Sequence, residues 1–268
     1  GFPGYHAFTH RPTFRAVLAK SGRAGLAARL ADPAVKAAIL AEADLPPTPG
    51  ALLDGIFALA QYSADRIYAI GDPPDYEPTP DMTVAAIAAS RGDDPLSTMY
   101  DLMLESDAGA MLMLPFFNYA EGDCSAIYQM MQSPAAVSGL SDGGAHCGLI
   151  CDASYPTFLL THWARDRHRG PKFSLEYVVR KQTLETAMLF GLSDRGVIQA
   201  GKKADINVID MDALRLGVPQ MVYDLPAGGR RLLQGASGYD ATIVSGVVTR
   251  RNGADTGARP GRLVRGVR

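Results

Sequence analysis

The apolar run at 135–140, Ala-Ala-Val-Ser-Gly-Leu, ends on Ser141-Asp-Gly-Gly-Ala-His146. A stretch of strand length that closes on a carboxylate, two glycines and an imidazole suits the C-terminal end of a parallel strand, where α/β proteins gather their sites. Read as a pattern, Gly139-Leu140-Ser141-Asp142-Gly143 is also G-x-S-x-G, the nucleophile elbow of serine hydrolases, with Ser141 as nucleophile. That elbow needs an acid and then a histidine far downstream. The histidines after Ser141 are His146, His162 and His168, and none occurs in the long remainder of the chain. The serine-hydrolase reading is therefore the remote alternative, and Asp142 is the leading candidate for chemistry.

The flanking sequence alternates in the way this placement requires. Residues 13–45, rich in Ala, Leu and Arg, predict two helices, the second opening at Asp32-Pro33, since Asp caps and Pro fits the first helical position. A strand at 66–70 closes on Gly71-Asp-Pro-Pro, and the loop beyond carries Asp72, Asp75, Glu77 and Asp81. Their proline-broken spacing matches no calcium loop, so a solvated turn is expected. Helices follow at 82–90 and 94–105, a buried strand at 111–114, a helix at 123–132 and the strand at 135–140 that delivers Asp142. Ser174 then caps a helix with Leu175, Val178 and Val179 on one apolar face, stopped by Gly191. Met103, Met111, Met113, Met130 and Met131 read as packing residues.

After Gly191 the texture changes to short strand-and-turn units at 204–210 and 240–249, with turns at Ser245-Gly246 and Asn252-Gly253. The expected organisation is 1–194, with a helical insertion at about 72–108, followed by an all-β part at 195–268.

Composition narrows the function classes. With 268 residues, 47% of them hydrophobic, the chain buries a sizeable core, and a net charge of -2 gives no electrostatic case for nucleic acid. The basic run at 165–172 reads as a solvated loop. Cys124, Cys147 and Cys151 are odd in number, which favours reduced thiols and a cytoplasmic setting. Cys147-x-x-x-Cys151 has no second pair at zinc spacing. Pro115 breaks the longest apolar stretch, 108–117, so no membrane span is expected. The opening Gly1-Phe-Pro-Gly has no initiator methionine and reads as loop cut from something longer, which leaves a signal peptide open.

Four segments together resemble a family: Ser141-Asp-Gly-Gly-Ala-His146, Phe190-Gly-Leu-Ser-Asp-Arg-Gly-Val-Ile198, Gly201-Lys-Lys-Ala-Asp-Ile-Asn-Val-Ile-Asp210 and Thr256-Gly-Ala-Arg-Pro-Gly-Arg262. They are similar to the C-terminal half of the metal-dependent amidohydrolases, in the N-acyl-D-amino-acid deacylase (D-aminoacylase) branch. The resemblance implies an α/β fold, the C-terminal part of a (β/α)8 TIM barrel followed by part of a small β-sandwich. It also implies one or two zinc ions, held by a His-x-His pair, a bridging residue and two further histidines. This sequence has no His-x-His, and His6 and His10 are too far apart to imitate one, so the other ligands are expected upstream.

On the same resemblance Asp142 is the last-strand aspartate, a metal ligand that also takes the proton of the attacking water. His146 matches a loop histidine that binds the substrate's scissile carbonyl or orients Asp142. The family's arginine clamp for a substrate carboxylate falls at Ala153 here, which opens the substrate range to other amides, cyclic amides, hydantoins or ureas. The implied activity is hydrolysis of C–N bonds other than peptide bonds in a small-molecule amide, with these residues alone inactive and a homo-oligomer possible. The competing class is an amidohydrolase fold that serves as a non-catalytic scaffold.

Overall fold

The computed structural model describes residues 2–46, 61–115, 117–139 and 146–265. It mixes helix and strand and divides into two compact units, each drawn from three stretches of chain. The first is Gly1–Asp123 with His146–Leu149 and Pro219–Leu233, and the second is Cys124–Ala145 with Ile150–Val218 and Gln234–Arg268.

In the first unit, residues 12–41 form three helices where the sequence predicts two: Pro12–Ser21, Leu26–Leu30 and Pro33–Ala41. Gly22, at φ 58°, ends the first and splits the expected long helix. Asp32 caps the third as expected, accepting from the Ala34 amide at 2.9 Å. Two further helices are capped the same way. Thr83 accepts from Ala86 ahead of Val84–Arg91, and Asp94 accepts from Leu96 and Ser97 ahead of Pro95–Ala108. The backbone leaves helical geometry at Glu105–Asp107.

These helices bury Phe2, Phe8, Phe14, Leu30, Ile39, Met99, Tyr100 and Met103 in one cluster. The expected strands shrink to Tyr68–Ala69 and Leu112–Met113, which pair antiparallel with each other. Pro115, with no N–H to donate, limits the second strand. The hairpin Gln220–Leu225 and Gly229–Leu233 completes the unit. Tyr223 Oη donates to the Pro3 carbonyl at 2.8 Å, and the Arg230 guanidinium lies 4.0 Å over the Tyr5 ring. Glu77 is buried, a correction to the solvated loop expected there.

The second unit carries the helix Ser125–Gln132, a helix Tyr155–Phe158 that continues π-helically as Leu159–Asp166, and a run of 175–189 with a π-helical middle, Lys181–Glu185. Ser174 caps the last, accepting from Tyr177 at 3.2 Å. Its apolar face is narrower than expected, because Val178 is buried while Leu175 and Val179 are exposed. Met130 is exposed as well and packs in no core.

The all-β texture after 191 is present as a four-stranded antiparallel sheet ordered Ala254–Asp255, Val247–Arg251, Tyr239–Val244, Ile206–Ile209. Both predicted hairpin turns form, with positive φ at Ser245, Gly246, Asn252 and Gly253, the mirror-image turns that match strand twist.

Two expectations need correction here. Among the described residues every strand pairing is antiparallel, so the parallel ladder read from the alternation is not among them. The basic run 165–172 is not a solvated loop either. Arg167 is buried, stacked 4.7 Å over Trp163 and donating to Pro171 O at 2.7 Å, while Arg165 donates to Leu214 O at 2.9 Å. Flat guanidinium groups stack on aromatic rings and bury their stems, which a charge count does not register.

Candidate functional site

Asp142 and Ser141 lie outside the described residues, as does all of 140–145. What the structure describes is how the chain approaches and leaves them. Residues 135–139 form no strand. Pro134 sits in a turn closed by Ala136 N to Ser133 O at 3.2 Å. The carbonyls of the approach are taken up by side chains of the 175–189 helix instead of a ladder. Tyr177 Oη donates to Met131 O at 2.6 Å, Lys181 Nζ to Ser133 O at 3.2 Å and Ala136 O at 2.6 Å, and Thr186 Oγ1 to Ser138 O at 3.4 Å. Buried carbonyls need partners, and here side chains supply them. None of these three was singled out from the sequence. The available signal was a lysine one helical turn from Val178, on the side of the helix that packs inward.

On the far side, His146 adopts φ 44°, a left-handed backbone uncommon for a non-glycine residue. Such strain, on the order of 1 kcal/mol, concentrates near functional sites. Its carbonyl accepts from Leu149 N at 2.8 Å, and its exposed imidazole makes no hydrogen bond to a described residue. The next residue is fixed: Cys147 O accepts from Leu232 N at 2.6 Å, and Cys147 Sγ donates to Arg230 O at 3.9 Å. Ala153 is exposed in the single turn Asp152–Ser154.

His6 and His162 pack against aromatic rings. His6 is buried among Phe2 and Phe14, 5.1 and 4.5 Å away, and its Nδ1 accepts from Phe8 N at 3.1 Å. Burial, with added repulsion from Arg230, pushes its pKa well below the ordinary histidine value. His162 stacks on Phe158 at 4.7 Å beside the buried Trp163, as expected of a packed helix. The cysteines are free thiols, and burial, then Asp152, raises that of Cys151. His146, next to the 140–145 segment, presents an exposed imidazole with nitrogen donors suited to a carbonyl oxygen.

The model of an amidohydrolase family matches residues 3–250. The chain belongs to the amidohydrolase family. Within it the chain lies on the D-aminoacylase-like branch. It is 33% identical over 181 residues to a D-aminoacylase of Alcaligenes xylosoxydans xylosoxydans, a match that covers 66% of this chain and 32% of that protein. The chain therefore spans about a third of the length of the curated relative it matches. Among solved structures it is similar to a D-aminoacylase crystal structure at 24% identity and a TM-score of 0.38, covering 72% of this chain and 36% of the other. A D-aminoacylase variant in complex with copper chloride gives 22% identity and a TM-score of 0.39, covering 77% and 39%. No described helix is long and apolar enough to cross a membrane.

Proposed function

We propose that these residues are the C-terminal part of a metal-dependent hydrolase of C–N bonds other than peptide bonds, acting on an N-acyl-D-amino acid or a related amide or cyclic amide. The observation that carries this reading is the family match over 3–250 with Ser141-Asp-Gly-Gly-Ala-His146 uninterrupted within it. In this reading 1–194 belong to a barrel with an insertion at about 72–108, and 195–268 to a β-sandwich.

Asp142 is the metal ligand and general base. The remaining ligands come from residues upstream of these, because no His-x-His pair occurs in the sequence. A bound zinc ion supplies carbonyl polarisation and a water acidified toward a pKa of about 7. The Asp142 carboxylate takes the proton of the attacking water and returns it to the leaving amine. His146 donates a hydrogen bond to the scissile carbonyl. With Ala153 in the following loop, no guanidinium stands there to clamp a substrate carboxylate through two hydrogen bonds, which favours neutral or cyclic amides alongside acyl amino acids. The protein works in the cytoplasm on a small molecule, and exposed Met188, Leu189, Phe190 and Ile198 favour self-association.

The test is made in the complete polypeptide loaded with zinc. Asp142→Asn keeps the side-chain shape but removes the proton acceptor, and turnover falls at least ~10²-fold, the low end for a general base. Ser141→Ala costs little. Loss of activity in Ser141→Ala, labelling of Ser141 by a serine-reactive phosphonate and indifference to chelators would overturn the reading.

A further inference from the structure

Arg230 and Arg231 are adjacent on the strand Gly229–Leu233 and differ in what holds them. Successive strand residues face opposite ways. Arg231 is committed, because its Nε and Nη2 donate to the two Asp224 carboxylate oxygens at 2.8 and 2.6 Å. Arg230 is half-buried, and its guanidinium lies 4.0 Å over the Tyr5 ring. Among the described residues that guanidinium makes no hydrogen bond and no ion pair. Its charge reaches the buried His6, whose pKa is lowered first by burial and then by positive neighbours that include Arg230.

A guanidinium carries its N–H donors in its own plane. Stacking on a ring uses the face and leaves that edge of donors open. The stack also fixes the plane, so a carboxylate arriving at the edge meets a fork already oriented and little further ordering of the side chain is needed. The turn at 146–149 lies against this strand. Cys147 O accepts from Leu232 N at 2.6 Å, Cys147 Sγ donates to Arg230 O at 3.9 Å, and a β-carbon on Gly148 would stand 3.8 Å from Arg230 Nε and 3.5 Å from the Tyr5 ring. His146, with its exposed imidazole, is the residue before Cys147. In an N-acyl amino acid the acid group sits on the carbon next to the amide nitrogen, so the residues that hold its carboxylate and its carbonyl must be neighbours, as the Arg230 strand and the His146 turn are.

We propose that Arg230 is a specificity-determining residue, which binds the carboxylate of an N-acyl amino acid through the open edge of its guanidinium. This rests on the reading of such compounds as substrates. The two are separable, because failure of that reading shows as no hydrolysis by the unsubstituted complete polypeptide, whereas failure of the Arg230 assignment shows in carboxylate binding, which needs no turnover.

The first arm reads binding on this chain as it stands, by NMR. The Arg230 Nε–H signal is identified by its absence in Arg230→Lys. It should shift saturably with N-acetyl-D-leucine and with acetate, and stay in place with N-acetyl-D-leucinamide and with sodium chloride at the same ionic strength. No shift, or an equal shift with the amide or with chloride, overturns the proposal.

The second arm measures turnover in the complete polypeptide loaded with zinc. Arg230→Met keeps an apolar stem over Tyr5 and removes the charged donors, so KM for N-acetyl-D-leucine should rise by about 10–10²-fold with kcat nearly unchanged, the pattern of lost uniform binding. The advantage in kcat/KM over the uncharged N-acetyl-D-leucinamide should shrink in the same ratio. Arg231→Met removes the same charge from the adjacent residue, but from a guanidinium already taken by Asp224, and should move KM by less than about threefold. If Arg230→Met does not fold, Arg230→Lys keeps the charge but not the fork and must still raise KM several-fold. An unchanged KM, a loss confined to kcat, or an equal effect in Arg231→Met overturns the proposal.

Discussion

Gly238 passes so close to Leu214 that a β-carbon added to it would stand 2.5 Å from the Leu214 Cα. Leu214 is fully buried, its own backbone is the obstacle, and Gly238 sits at φ 91°, where side chains are strained. Gly238 O also accepts from Asp210 N at 2.9 Å, so the strand entry cannot shift freely. Gly238→Ala should lower stability by more than ~2 kcal/mol, combining the left-handed backbone cost with overpacking. Gly253, at φ 79° with open space around it, is the control. Gly253→Ala should cost only the ~1 kcal/mol of the backbone. Equal thermal midpoints for the two variants would contradict the contact.

Tyr100 ties two helices of the first unit together. It is fully buried, and its Oη donates to Leu30 O at 2.9 Å. Tyr100→Phe leaves that carbonyl unpaired, which costs about 1–3 kcal/mol in denaturant unfolding. Burial, with Asp101 and Asp32 adding repulsion, raises the phenol's pKa. The folded state thus resists deprotonation while the unfolded chain ionises near pH ~10. Stability from Tyr100 is whole below that pH and is lost as pH climbs beyond it. Tyr100→Phe should flatten this alkaline fall, and an equally steep fall in the variant would count against the assignment.

His6 carries the opposite dependence. Its folded pKa is depressed, first by burial, so below pH ~6.5 the unfolded chain binds a proton that the folded one refuses. Stability is present above that value and is lost as pH falls through it. Asn at this position keeps an acceptor for the Phe8 amide without titrating. His6→Asn should therefore unfold at a midpoint nearly constant between pH 7 and roughly pH 5, where the parent chain loses stability. A parallel decline in both would exclude His6 as the source.

Local signals in the sequence transferred well and long-range ones did not. Asp32, Asp94 and Ser174 cap their helices as residues of their type do, and the Ser245-Gly246 and Asn252-Gly253 turns follow from positive φ at small residues. The stretch 135–139 reads as a strand by composition, yet its carbonyls go to Lys181 and Thr186, 45 and 48 residues away, and no local pattern announces that. The hairpin at 220–233 looks like part of the β-rich tail but joins Pro3 and Tyr5 in the first unit. Arg167 reads as surface charge until Trp163 is placed beneath it. The motif at 139–146 was visible because its glycines, carboxylate and imidazole are contiguous, whereas the side chains that hold its approach come from another helix.

The metal requirement gives a test on this chain alone. Catalytic zinc takes about three protein ligands and a water, with affinity that depends on all of them. On the proposed reading these residues supply one ligand, Asp142, and the deciding histidines lie upstream. Dialysed against metal-free buffer after loading, the chain should retain far less than one zinc per molecule and hydrolyse no N-acyl amide. A chelator should leave its thermal midpoint unchanged, because a metal that is not held in the folded state contributes nothing to stability. Stoichiometric zinc that survives dialysis, with amide hydrolysis abolished by chelator, would mean that these residues assemble a complete site of their own.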